Sequence, residues 1–345
     1  MLDYHAATDA FQQAARARNA QLDSLPLATR GPQNEPLAIH IAWLGSSNPQ
    51  RAVLHFSGVH GVEAAAGSAV QRAWLEAGPT IPDGIAVVLI HGFNPYGWLW
   101  RRRANADNVD LNRNCLPEGA EFAGVPDTYR DLQKFLNPCR RPSRGLGFLL
   151  QATREVVRFG LPQVTQAIAG GQYEYPRGLF FGGTGWQEEP RCVIAWLSQR
   201  LPDLRRAAAI DVHTGLGRFG RQLLLVDEHD ADPRCQELRR QFGPTVRGWG
   251  SRHGYYQARG KFITALATTF EQVDWITVTQ EFGTYSLLRV FAALRYENWQ
   301  WHFQKEKRPF ETLRPIFVPD NPAWQLNLVA QGTTLLQQMI EHIAG

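Results

Sequence analysis

Residues 85–90, Ile-Ala-Val-Val-Leu-Ile, are six apolar residues in a row with no polar alternation. A strand with one wet face alternates apolar and polar residues. A strand without alternation is buried on both faces, as in a mostly parallel sheet covered by helices on either side. Whatever else the chain builds must therefore supply neighbouring strands and two helical layers.

The remaining pattern supplies them. Residues 37–44 and 52–56 read as strands joined by a polar turn at 45–50, and 207–212, 222–226 and 275–280 read as further strands. Between them lie helical stretches at 64 to about 78, 128–136, 148–169 around Pro162, 190–201, 233–242, 286–302 and 324–343. Near the start, 8–22 reads as an amphipathic helix with Thr8 as N-cap and Phe11, Ala14, Ala15 and Leu22 on one side. A loop at 26–36 follows. Residues 92–114 are aromatic and loop-like, with Asn94-Pro95 and Gly97 as turn formers. Strands alternating with helices predict an α/β fold: one domain over 1–345, a mixed, mostly parallel central sheet with helices on both faces. Residues 115–190 are expected to be an insertion that shapes a pocket wall. The glycines at 182, 183 and 185 read as a turn, because no Lys-Ser/Thr follows as a phosphate loop requires.

Composition excludes several classes. The 36 basic and 32 acidic residues leave a formal charge of +4, with the arginines scattered, which gives no footprint for nucleic acid. The cysteines Cys115, Cys139, Cys192 and Cys235 have no Cys-x-x-Cys spacing and read as reduced, mostly buried thiols. No apolar stretch approaches a membrane span, and the first residues lack the basic and apolar regions of a secretory signal, so a cytoplasmic chain is the expectation.

Three polar residues stand in matching positions. His60, His213 and Glu281 each follow an apolar strand, each close to a glycine. Such strand ends converge outside the carboxyl edge of an α/β sheet, where ligands are held. Glu63 lies three residues after His60, at the start of a helix. Two histidines and a carboxylate form a catalytic zinc set with a fourth position left for water. His60, Glu63 and His213 would be the ligands, leaving Glu281 as base. In Asn108-Val109-Asp110-Leu111-Asn112-Arg113-Asn114, Asp110, Asn112 and Asn114 share a side if the piece is extended. Asp110 could orient His60 through its second ring nitrogen. Arg113 offers a planar fork for a carboxylate, with Asn112 as an added donor.

His60-x-x-Glu63, then Asp110-x-Asn112-Arg113-Asn114, then His213 and Glu281, together resemble the zinc carboxypeptidase family over roughly residues 50–290. The segments Asp211-Val212-His213-Thr214-Gly215-Leu216-Gly217 and Glu281-Phe282-Gly283-Thr284 resemble an uncharacterised bacterial branch of it. The resemblance implies one zinc ion on His60, Glu63 and His213, with Glu281 taking the proton of an acidified water and passing it to a leaving amine. It implies an arginine for the oxyanion and Asn112 with Arg113 for a substrate carboxylate. Arg103-x-Asn105 fits shorter relatives, whereas Trp100-Arg101 fits the digestive enzymes, so Arg103 is preferred with Arg101 and Arg102 kept open. A tyrosine that the digestive enzymes place some two dozen residues before the base has Tyr255 and Tyr256 as candidates. No residue stands out for a side-chain specificity pocket.

The expected activity is hydrolysis of an amide bond beside a free carboxylate, on a peptide or an N-acyl amino acid. A deacylase of the aspartoacylase type keeps the metal chemistry and changes the substrate. A metal- or peptide-binding protein without turnover is the reading from another class. The oligomeric state is left open.

Overall fold

A computed structural model describes residues 1–250 and 258–345. Among the described residues, eight strands form one mixed sheet: β1 (Gln21–Arg30), β2 (Pro36–Gly45), β3 (Arg51–Ser57), β4 (Ile85–His91), β5 (Arg206–Gly215), β6 (Gln222–His229), β7 (Val246–Trp249) and β8 (Asp274–Gly283). Their order is β1-β2-β4-β3-β5-β8-β6-β7. The central strands β4, β3, β5 and β8 run parallel, while β1, β2 and β6 join antiparallel.

The unbroken apolar run has its expected place. All of β4 is buried, and its residues alternate between two cores. Val87 and Leu89 pack with Val53, Ile210, Phe11, Trp74 and Leu336 beneath the helices Tyr4–Ala17, Ala64–Ala77 and Pro322–Ala344. Ala86, Val88 and Ile90 pack on the other face with Leu54, Trp196, Leu197 and Phe262 beneath Glu188–Arg200 and Phe262–Thr269. A fully buried Leu, Ile or Phe is worth about 1.5–3 kcal/mol, so two dry faces anchor the parallel centre more firmly than the half-exposed β1.

Several local expectations are corrected. The first helix is Tyr4–Ala17, capped by Asp3, whose carboxylate accepts from the Ala6 amide; Thr8 lies buried inside it. Leu22 and residues 26–30 of the expected loop instead belong to β1, where mixed half-burial at the sheet margin left a weak signal, and 31–35 form the turn into β2. The stretch 148–169 is two helices, Leu146–Phe159 and Leu161–Ala169, broken at Gly160 with Pro162 in the first turn of the second. Residues Pro95–Leu99 form a short helix within the loop-like region. Cys139 is exposed and Cys192 half-buried, so only Cys115 and Cys235 are buried thiols, and all four are free. No helix among the described residues is long and apolar enough to cross a membrane.

Candidate metal centre and its cavity

Because β3, β5 and β8 are parallel neighbours, their carboxyl ends open on one side, and the site residues sit there. His60 follows β3, His213 lies on β5, and Glu281 lies on β8 directly paired with His213. The chain leaves β3 through Gly58 at φ +82°, then forms a tight turn, Gly61–Glu63, before the Ala64–Ala77 helix. Gly61 is required by close approach: a Cβ there would lie 2.2 Å from the Gly97 carbonyl carbon. The amides of Gly61 and Val62 donate to the carbonyls of Arg103 and Arg102. The same turn that presents His60 and Glu63 thus anchors the backbone that presents Arg103.

His60 Nδ1 lies 3.0 Å from a Glu63 oxygen and 2.9 Å from His213 Nδ1, and His213 Nδ1 lies 3.3 Å from the other Glu63 oxygen. These separations are close to the edge of about 3.3 Å expected for a tetrahedral site with bonds of roughly 2.0 Å. The outer nitrogens have carboxylate partners: His60 Nε2 meets Asp110 at 3.0 Å and His213 Nε2 meets Asp211 at 2.5 Å. If both Nε2–H groups donate to those carboxylates, both Nδ1 atoms carry lone pairs aimed at each other and at Glu63. A cation or a proton must then sit between them. Burial lowers the basicity of His213, but Asp211 and Glu63 outweigh it and hold its pKa well above the ordinary value. For Glu63 burial acts upward, and the two histidines overcome it and hold the carboxyl well below its usual range. The three residues, all buried, could hold a metal ion.

Glu281 stands beside this cluster without belonging to it. One of its oxygens accepts from the Leu216 amide at 2.8 Å. Burial, reinforced by the charge of Glu63, pushes its carboxyl up to about 7, against the pull of His213, the Leu216 amide and Arg103. That is the range in which a carboxylate can both accept and return a proton near neutrality.

The three successive arginines point to three different places. Arg101 pairs with the exposed Glu311. Arg102 is buried, donating to Glu297 at 2.7 Å and to Asn108 at 2.8 Å, with its guanidinium over the Trp301 ring. Arg103 reaches the cluster: its Nε donates to Asp110 at 2.9 Å and its Nη1 to Glu63 at 3.2 Å. The extended geometry considered for Asp110–Asn114 is replaced by a one-turn helix, Leu111–Arg113, whose first amides are capped by Asp110 through the Asn112 amide. Asn112 accepts from the Phe262 amide, and Arg113 donates to the carbonyls of Ala169 and Asn112 while lining the cavity. Asn114, expected to share their side, instead ties the 182–185 turn through the carbonyls of Gly182 and Gly185. Tyr255 and Tyr256 lie outside the described residues.

One cavity of about 900 Å³ gathers His60, Glu63, His213, Glu281, Arg103, Asn112 and Arg113 on its wall. Three features escaped the sequence reading. Asp211 is signalled by the two-residue spacing to His213, which puts both on one face of a strand. The Thr214 amide donates to Glu63 at 2.7 Å, a backbone contact with no residue signature. Asp227, Lys261 and Thr264 line the cavity from β6 and the Phe262–Thr269 helix.

Two solved structures share this fold. Carboxypeptidase A from Helicoverpa armigera superposes with a TM-score of 0.50 at 12% identity, over 97% of this chain and 73% of that one. Bovine thrombin-activatable fibrinolysis inhibitor, solved in complex with tick carboxypeptidase inhibitor, gives 0.52 at 10% identity, over 99% and 97%. The eight-stranded sheet is therefore the metallocarboxypeptidase fold. No curated protein sequence matches the chain significantly. Residues 1–331 match the model of a family described as a protein of unknown function, DUF2817, and the chain belongs to that family.

Proposed function

We propose that this chain is a zinc-dependent hydrolase that cleaves an amide bond next to a free carboxylate, as a carboxypeptidase does. The observation that carries this reading is the pairing of His213 with Glu281 across β5 and β8. It sets a carboxyl raised to about 7 beside a three-residue cluster fit for a metal. A zinc ion on His60, Glu63 and His213 would supply Lewis acidity, polarising a carbonyl and acidifying a water.

The chain's own groups do the rest. Glu281 accepts the proton of the attacking water and returns it to the leaving amine nitrogen, a contribution of about 10²–10⁴ in rate. Arg103, held by Asp110 and Glu63, directs its guanidinium to the developing oxyanion. Asn112 and Arg113 hold the substrate carboxylate and so select a chain end. Residues 1–345 act as one catalytic unit, in which 115–190 is a pocket-shaping insertion; Leu116, Leu161 and Thr165 of that segment line the cavity.

A second reading, deacylation of N-acyl amino acids in the aspartoacylase manner, is favoured by the cavity volume of about 900 Å³. That size lies within the range of small-molecule pockets, about 300–1,000 Å³. Turnover of C-terminal peptides against N-acyl amino acids by the zinc-loaded protein separates the two. A binding protein without turnover has no use for a raised carboxyl beside the cluster. Zinc-loaded protein that hydrolyses neither class, under conditions where Glu281→Gln behaves identically, would leave that third reading standing.

A further inference from the structure

On the cavity wall beside Arg113, a second cation is built into the fold. Gly260 packs so tightly on the Arg113–Asn114 backbone that a Cβ would lie 2.5 Å from the Arg113 carbonyl oxygen, and its own carbonyl accepts from the Cys115 amide. Lys261 follows as the N-cap residue of the Phe262–Thr269 helix, whose first amide is held by Asn112. The carboxylate clamp and Lys261 therefore share one backbone frame. Lys261 is ion-paired with Asp227 of β6, and the Thr264 hydroxyl donates to the other Asp227 oxygen.

We infer that Lys261 recognises a second carboxylate, so that the cavity takes substrates whose released residue carries an acidic side chain. This deepens the hydrolase reading and rests on Arg113 holding the first carboxylate. Asp227 already has both oxygens engaged, so a basic side chain would have to displace Lys261 to reach it. An ammonium carries three donors, and the Asp227 contact engages one. Charge points the same way: among the described residues that line the cavity, Arg103, Arg113, Arg247, Arg259 and Lys261 face only Asp227 and the two carboxylates of the metal site, Glu63 and Glu281. Burial, then the charge of Arg113, lower Lys261 to about 8 against the pull of Asp211, so the ammonium stays mostly charged at neutral pH. A cationic or long apolar side chain entering there meets repulsion or strands polar groups; a carboxylate offsets both.

The test uses full-length zinc-loaded Glu281→Gln protein and calorimetric binding of L-glutamate, L-glutamine, L-leucine and L-lysine as probes of the released half. The expected result is glutamate binding at least about ten-fold tighter than glutamine, with lysine weakest. Lys261→Met should compress the glutamate-to-glutamine ratio to within about two-fold, and Lys261→Arg should restore most of it. Thermal melts show whether each variant folds; should Lys261→Met fail to, Lys261→Gln and the wild-type probe ranking decide. Glutamine or leucine binding as tightly as glutamate, or a ratio unmoved by loss of the Lys261 charge, overturns the inference. If the wild type hydrolyses no substrate while the Lys261-dependent preference for glutamate holds, the hydrolase reading falls and the recognition of two carboxylates stands.

Discussion

Asp211 and His213, two residues apart on one face of β5, meet at 2.5 Å through the outer ring nitrogen of the histidine. His60 is held the same way by Asp110, fifty residues away in sequence. Each histidine is thereby turned so that Nδ1 faces the cluster. Both carboxylates are buried, and a side chain that merely filled the space would leave the rings free to choose the other tautomer.

Asp211→Asn should weaken zinc binding by about 10–100-fold, the usual cost of losing a partner that orients a metal-bound histidine. Asp110→Asn should cost a similar amount. Competition against a chelator of known affinity measures both. An affinity within two-fold of the wild type, about 0.4 kcal/mol, would mean that neither pair positions a ligand.

The pH dependence of hydrolysis follows from Glu281. Its carboxyl is raised chiefly by burial, and a base must be deprotonated to act, so kcat/KM should fall as pH drops through its pKa. A cation on the neighbouring cluster pulls that value down from about 7, which puts the acid limb between the ordinary 4.5 and about 7. Glu281→Gln should lower kcat by at least about 10²-fold and remove the limb while zinc content stays unchanged. A pH profile that keeps its acid limb in Glu281→Gln would assign the base elsewhere.

Glu189 makes a prediction about stability rather than catalysis. It is buried at the start of the Glu188–Arg200 helix and accepts from Asn105, and burial raises its carboxyl to about 7 from 4.5. A carboxyl raised in the folded state contributes stability below the unfolded value, and that contribution is lost as pH climbs from about 4.5 to about 7. Glu189→Gln, which stays neutral, should therefore exceed the wild type above pH 7 by at most about 3.4 kcal/mol, with the gain gone near pH 4. Thermal melts across this range read the difference; an equal gain at both ends contradicts the burial argument.

Much of this was legible because apolar runs with little or no polar alternation mark buried parallel strands. The runs at 52–56, 85–90, 207–212 and 275–280 placed the sheet centre, and with it the convergence of His60, His213 and Glu281. What was missed lies where burial is partial or the contact is made by backbone. The half-exposed β1 blurred into the preceding helix, and the short β7 gave too little pattern to read. Resolving Arg103 from Arg101 and Arg102 needed the direction of each side chain, which depends on a positive φ at Arg101 and on Trp301 two hundred residues later. Lys261 and Asp227 carry no motif; only the docking of Gly260 on the Arg113 backbone brings them beside that arginine.

The most direct test of the account is the metal content of the purified chain after exhaustive removal of loosely bound ions. The prediction is one zinc per chain in the wild type and in Glu281→Gln, and none retained in His213→Ala or His60→Ala. A wild-type chain that folds normally and holds no stoichiometric metal, or one that keeps its metal when His213 is removed, would contradict it.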